Sequence, residues 1–195
     1  MNKDLLEKYR DINVNHDNWY ECVYSVFGER LRDEVGVEVE QIYFSGFWSQ
    51  GDGACFEGCV ADWRAFLNSL GYTNEVLINF ARHYWTFKVK HYGHYAHENC
   101  TQFDSDIPSP DDTDEDSYLR AFGPYYEDDL RAKAWLAVLK TFEFAAFEAE
   151  FTDKFKDHMR ELYKRLQAEY DDLTSDEAVW EAIVANELDT TKEEI

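Results

Sequence analysis

With 195 residues, 45% of them hydrophobic and 17% aromatic, the chain can bury one sizeable core, which excludes a disordered acidic polymer. Its 19 basic against 41 acidic side chains leave a net charge of −22, a balance that repels nucleic acid and anionic membranes and favours basic surfaces as partners. The charge is uneven: residues 104–129 and 169–195 carry −9 each, whereas 1–103 carry −6 and 130–168 carry +2.

Trp19, Cys22, Val23, Val26, Phe27 and Leu31 recur at helical spacing, with Asp17 as N-cap and Gly36 as the stop, and predict a first amphipathic helix. Val37 to Trp48 is β-branched and aromatic, Ser49-Gln50-Gly51-Asp52-Gly53 is turn chemistry, and Ala54 to Val60 resumes an extended pattern, so the expectation is a β-hairpin. Two short helices follow, one turning Trp63, Phe66, Leu67 and Leu70 inward and one turning Val76, Leu77, Phe80, Ala81 and Tyr84 inward, with Gly71 between them. Trp85 to His97 alternates like a third strand, and the residues after Cys100 offer a fourth. From Asp104 to Asp112 the acidic, Pro- and Ser-bearing stretch reads as a loop or linker.

From about Tyr126 to Tyr170 no Pro or Gly interrupts a helix, which would be on the order of 65 Å long if unbroken. Apolar positions such as Leu130, Ala134, Val138, Ala145, Phe151, Phe155, Leu162 and Leu166 mark its stripe. Phe142, Phe144 and Phe147 widen that stripe, so the segment either packs within the chain or self-associates. Thr174 and Glu177 fit a capping box that opens a last helix with Val179, Trp180 and Ile183 on one side. The expected fold is α+β: a small antiparallel β-sheet packed with helices, plus a long C-terminal helical arm. Residues 1–103 form the core, 104–125 an acidic linker, and 126–195 the long helix and the capped terminal helix packed on the core.

Several patterns invite chemistry. The Gly-flanked Asp52 could present backbone N–H groups to an anion, but a P-loop needs a Lys and a hydroxyl after its second Gly, where this chain has Ala54-Cys55; a tight turn built by Gly51, Asp52 and Gly53 is the simpler reading. His91, His94 and His97 with Asp104 suggest a metal, since imidazole and carboxylate suit Zn or Fe. On a strand, however, His91 and His97 share a face while His94 points away. That leaves His91, His97 and Asp104 as the metal candidates against a structural role. Cys55 or Cys59 beside a histidine would need a thiolate in positive surroundings, which an acidic chain opposes. Cys22, Cys55, Cys59 and Cys100 fit neither a zinc spacing nor a secreted disulfide framework. The run Asp111, Asp112, Asp114, Glu115, Asp116 lacks the Gly and spacing of an EF-hand. Together with Glu127, Asp128 and Asp129 it reads as a partner-binding surface, either for a basic protein or as a mimic of nucleic-acid phosphates.

The string Phe44-Ser45-Gly46-Phe47-Trp48-Ser49-Gln50-Gly51-Asp52-Gly53-Ala54-Cys55-Phe56-Glu57-Gly58 resembles a family of small bacteriophage proteins. So do an upstream Asn13-x-x-His16-Asp17-x-Trp19 element and a downstream Leu173-Thr174-Ser175-Asp176-Glu177-Ala178 element. Members of that family are labelled as phage inhibitors of a host ATP-dependent protease of the Lon type or as antitoxin-like proteins. The resemblance implies a phage protein acting on a host protein and brings no functional residues with it.

The expectation from all of this is a non-catalytic inhibitor that binds a host protein with a basic surface. It needs no cofactor, binds no nucleic acid directly and is able to self-associate through the long helix. A DNA-mimic counter-defence protein is the second reading and a metal-dependent enzyme the third. The polar opening Met1-Asn2-Lys3-Asp4 gives no signal peptide, and no apolar run approaches the roughly 18 residues of a membrane span, so a soluble protein in the bacterial host cytoplasm is expected.

Overall fold

In a computed structural model the described residues are 2–15, 18–106, 134, 137–138 and 141–188. The chain is α+β, with a four-stranded antiparallel sheet, helices packed on it and a long C-terminal helix. It forms two compact units, Met1–Phe27 with Glu161–Ile195, and Gly28–Arg160.

The sheet belongs to the second unit and runs β1-β2-β3-β4 in space as in sequence: β1 is Val37–Phe44, β2 Ala54–Val60, β3 Phe87–His91 and β4 Thr101–Ser105. The hairpin of β1 and β2 pairs Phe44 with Ala54 and Val37 with Val60, with an irregularity between Val39 and Gln41. β1 ends at Phe44 rather than Trp48, because Gly46 turns the chain with φ at 117°. Likewise β3 stops at His91, and Thr101–Ser105 supplies the fourth strand, so Asp104 and Ser105 are strand residues and not the start of a loop.

Alternation in β3 sorts the faces. Phe87 and Val89 are buried while Lys88 and Lys90 are exposed, the pattern of a sheet covered on one side. The covering layer comes from α3 (Trp63–Ser69), α4 (Glu75–Tyr84) and the part of α5 (Phe144–Leu173) up to Arg160, which follow α1 (Lys3–Lys8) and α2 (Glu21–Arg30) in the chain. Asp62 caps α3 by accepting from the backbone N–H of Arg64 at 2.8 Å, and Asn74 caps α4 by accepting from Val76 at 2.9 Å, each satisfying an otherwise orphaned donor. α3 and α4 bury Trp63, Phe66, Leu67, Leu77, Ile78, Phe80 and Ala81, whereas Tyr84 is exposed.

The long helix is interrupted. Residues 141–143 are non-helical and α5 begins at Phe144, which gives it about 45 Å of length. Phe147, Phe151, Phe155 and Met159 follow one another at four-residue intervals and are fully buried, which is one helical stripe. Phe151 meets Phe87 edge-on at 4.5 Å, and Phe155 lies 5.1 Å from Phe87 and 5.7 Å from Phe66. This aromatic stripe is thus occupied inside the protein by the sheet and α3.

The other unit has its own small core, in which Leu6 packs with Val179 and Ile183 of α6 (Asp176–Ala185). Arg10 ties α1 to α6 by donating to the Asp176 carboxylate at 2.6 Å and to the Thr174 carbonyl at 3.0 Å. The cap of α6 is Ser175, whose hydroxyl accepts from the Ala178 N–H at 3.2 Å. Thr174, the residue expected in that role, instead donates its hydroxyl back to the Tyr170 carbonyl at 2.7 Å. α2 begins at Glu21, one turn later than its apolar pattern, and runs on through a π-helical turn, Leu31–Val35, to the left-handed Gly36. The proposed Asp17 cap lies outside the described residues.

Candidate partner-binding surface

The hairpin segment singled out in the sequence makes an internally hydrogen-bonded loop, Ser45 to Gly53, at one end of the sheet. The Asp52 carboxylate organises it: Oδ2 accepts from the backbone N–H of Trp48 at 2.7 Å and of Ser49 at 2.5 Å. The Asp52 N–H in turn donates to the Ser49 carbonyl at 3.1 Å, and the Ser45 N–H donates to the Gly53 carbonyl at 3.2 Å. Two N–H groups that the anion-binding reading needs are therefore taken by the loop's own carboxylate.

A second loop, Tyr92 to His97 between β3 and β4, lies against the first. Gly51 has φ at 97°, and a Cβ built there would stand 3.1 Å from the Tyr95 ring. A Cβ at Gly53 would stand 2.7 Å from the Ala96 carbonyl oxygen. Both glycines let the loops approach closely. Glu98 anchors the far end of the second loop, accepting from Arg160 Nε of α5 at 3.2 Å and lying 3.1 Å from His97 Nδ1.

What these loops expose is aromatic. Trp48 is 75% exposed and Tyr92 and Tyr95 are each 53% exposed. Phe47 stands between Phe44, at 4.8 Å, and Trp48, at 6.4 Å, and His94 meets Tyr95 edge-on at 5.3 Å. Trp and Tyr combine large apolar area with few rotatable bonds, which makes them the residues that most often dominate protein interfaces. Across residues 44–58 and 92–100 the charged side chains are Asp52, Glu57 and Glu98, with no Lys or Arg.

The metal candidates are not brought together. His91 stacks on Tyr43 with centroids 4.4 Å apart, and its Nε2 lies 3.1 Å from the Tyr95 carbonyl. His97 accepts from the Asn99 N–H at 3.1 Å through Nδ1. Asp104 pairs with Lys90 at 2.5 Å, a contact that pushes the lysine pKa up through the hydrogen bond and the charge. His94 and His97 sit in the connection after β3 rather than on it, so strand alternation does not govern them. Among the described residues no group of three His, Cys, Asp or Glu side chains is arranged to hold a metal ion.

Neither Cys55 nor Cys59 offers a ready thiolate. Cys55 is fully buried, and burial, reinforced by nearby Cys100, pushes its thiol up to about 12; Cys59 is raised by burial as well. A thiol held that high is protonated at neutral pH. Glu57 accepts from the Tyr43 hydroxyl and from the His91 N–H, both at 3.0 Å, and so fastens β1, β2 and β3 beneath the loops.

The acidic residues expected to bind a partner, Asp111, Asp112, Asp114, Glu115, Asp116, Glu127, Asp128 and Asp129, lie outside the described residues. The exposed aromatic surface was missed by sequence reading at Tyr92 and Tyr95, which continue the alternation of β3, and at Trp48, which reads as strand. Gly93, with φ at 89°, and Gly46 are the signals that the strands end before those residues.

Residues 19–176 match a family described as Domain of unknown function (DUF8835). No curated protein and no solved structure matches the chain. Among the described residues no helix is long and apolar enough to cross a membrane.

Proposed function

The chain belongs to the DUF8835 family, and we propose that it is a non-catalytic phage-type inhibitor that binds a host protein in the bacterial cytoplasm, with an ATP-dependent protease of the Lon type as its first target. The observation that carries this reading is the exposure of Trp48 at the tip of the segment on which the resemblance to a family of small bacteriophage proteins rests. That tip is braced by two hydrogen bonds to Asp52, and each constraint already present in the free protein lowers the conformational entropy lost on docking. The net charge of −22 adds long-range attraction to a basic partner, which speeds association and makes it sensitive to salt. Self-association is no part of this proposal, since Phe147, Phe151 and Phe155 are already covered.

The test is peptide hydrolysis by a purified bacterial Lon-type protease titrated with the protein. Inhibition that saturates near equal stoichiometry, with the protein left intact, supports the reading. Undiminished hydrolysis at excess protein rules out this target.

The concentration of −18 of the charge in residues 104–129 and 169–195 favours a second reading, a mimic of nucleic-acid phosphates. A mimic competes with DNA for its partner, whereas the inhibitor binds equally with or without DNA.

A further inference from the structure

We propose that the Trp48–Tyr95 surface is a receptor for an arginine side chain from a basic segment of the partner protein. This rests on the reading of the chain as a protein-binding inhibitor and names the chemistry its contact surface selects. Trp48 and Tyr95 are exposed rings on two loops in mutual contact through Gly51, so both lie at one end of the sheet. Ring faces carry negative potential and attract cations, Trp most strongly and arginine most often, because a guanidinium is planar and weakly hydrated.

The surrounding charge selects the same sign. Residues 44–58 and 92–100 hold no Lys or Arg; of their carboxylates, Glu57 is engaged beneath the loops by Tyr43 and His91 and Glu98 by Arg160, which leaves Asp52 to supply the negative charge. Arg160, which reaches this region from α5, is engaged by Glu98 and Asp157. Asp52 gives Oδ2 to the Trp48 and Ser49 N–H groups; this fixes a carboxylate beside the indole-bearing turn, where an incoming guanidinium gains both a ring face and an opposite charge. Elsewhere on the sheet, Lys90 is already neutralised by Asp104.

The probe is a short peptide alternating arginine and glycine, compared with the same peptide carrying citrulline in place of arginine. Citrulline keeps the shape and removes the charge. Binding is followed by the indole N–H resonance that disappears from the NMR spectrum of Trp48→Ala. The expected result is saturable binding of the arginine peptide to the full chain, shift of the Trp48 resonance, affinity about tenfold lower for Trp48→Ala, and no saturation with citrulline. Tyr95→Phe, which keeps the ring, should bind like the wild type, and Tyr95→Ala should bind more weakly.

Equal affinity of wild type and Trp48→Ala would overturn the proposal by showing mere attraction to net charge, and so would binding of the citrulline peptide or no binding at all. Failure here is separable from failure of the inhibitor reading. A host protein inhibited in a Trp48-dependent way without arginine-peptide binding leaves the function standing and removes the arginine receptor. Arginine-peptide binding without any inhibited host protein does the reverse.

Discussion

Asp52 accepts a 2.7 Å hydrogen bond from the backbone N–H of Trp48 through Oδ2, so the most exposed large apolar side chain of the described residues sits on a turn braced by a carboxylate. This one contact links the turn chemistry of the sequence to the surface proposed to meet a partner. Replacing Asp52 by alanine removes the acceptor for two N–H groups that water can then satisfy. The expected loss of stability is therefore only about 1 kcal/mol, read as a small shift in urea midpoint, while partner affinity falls more than stability does. Asp52→Asn keeps one carbonyl acceptor and should recover much of the binding.

The two loops should fail together when their approach is blocked. A methyl at Gly53 would stand 2.7 Å from the Ala96 carbonyl oxygen, so Gly53→Ala must displace the Tyr92–His97 loop, at a cost of roughly 1–3 kcal/mol. Amide shifts spreading from residue 53 to residues 92–97 would check this. Shifts confined to the hairpin would show the loops to be independent.

The aromatic stripe of α5 is a core element. Phe155→Ala removes a ring that touches Phe56, Phe66 and Phe87 and is expected to cost about 3–5 kcal/mol by chemical denaturation. A stripe serving self-association would behave otherwise: the monomer would be unaffected and only the concentration dependence of size, measured by sedimentation, would change.

Alkaline pH should weaken the fold. Tyr72 donates its hydroxyl to Glu150 at 3.0 Å, and burial together with that hydrogen bond raises its pKa from 10.0 to about 12. Because the unfolded phenol ionises first, its contribution is complete below pH 10 and is lost as pH rises from 10 towards 12. Cys55, raised from 9.0 to about 12 by burial, adds a loss of the same sign that begins near pH 9. Urea midpoints should fall between pH 9 and 11, less steeply in Tyr72→Phe. A thiol reagent at pH 8 should modify exposed Cys22 at once and spare buried Cys55 until unfolding.

Much of this architecture was legible in the residues, and the failures have physical causes. The apolar spacing of Trp63, Phe66 and Leu67 and of Leu77, Phe80 and Ala81 announces α3 and α4, and both helices form with those residues buried, while Leu70 and Val76 are half-buried and Tyr84 is exposed. The break before α5 has no Pro or Gly to mark it; there Phe142 leaves the helix and packs 5.5 Å from Tyr72 and 6.2 Å from Trp85, a tertiary contact invisible to periodicity. Thr174 and Ser175 are equally good caps by type, and what separates them is which hydroxyl faces the N–H of Ala178. At the proposed interface, Gly51, Asp52 and Gly53 were readable as a turn, but the partnership with Tyr95 and Ala96 joins residues some forty positions apart, which no local pattern encodes.

In the proposed function this chain acts by binding a host protein through the Trp48 surface. The most direct test is affinity capture from nuclease-treated bacterial lysate with tagged wild-type protein and Trp48→Ala side by side, quantified by mass spectrometry. The account predicts one host protein retained at near-stoichiometric yield by the wild type, a Lon-type protease first among the candidates, and lost or strongly reduced with Trp48→Ala. Retention of the same protein in equal amount by both would contradict the assignment of this surface, and the absence of any stoichiometric host partner would contradict the function.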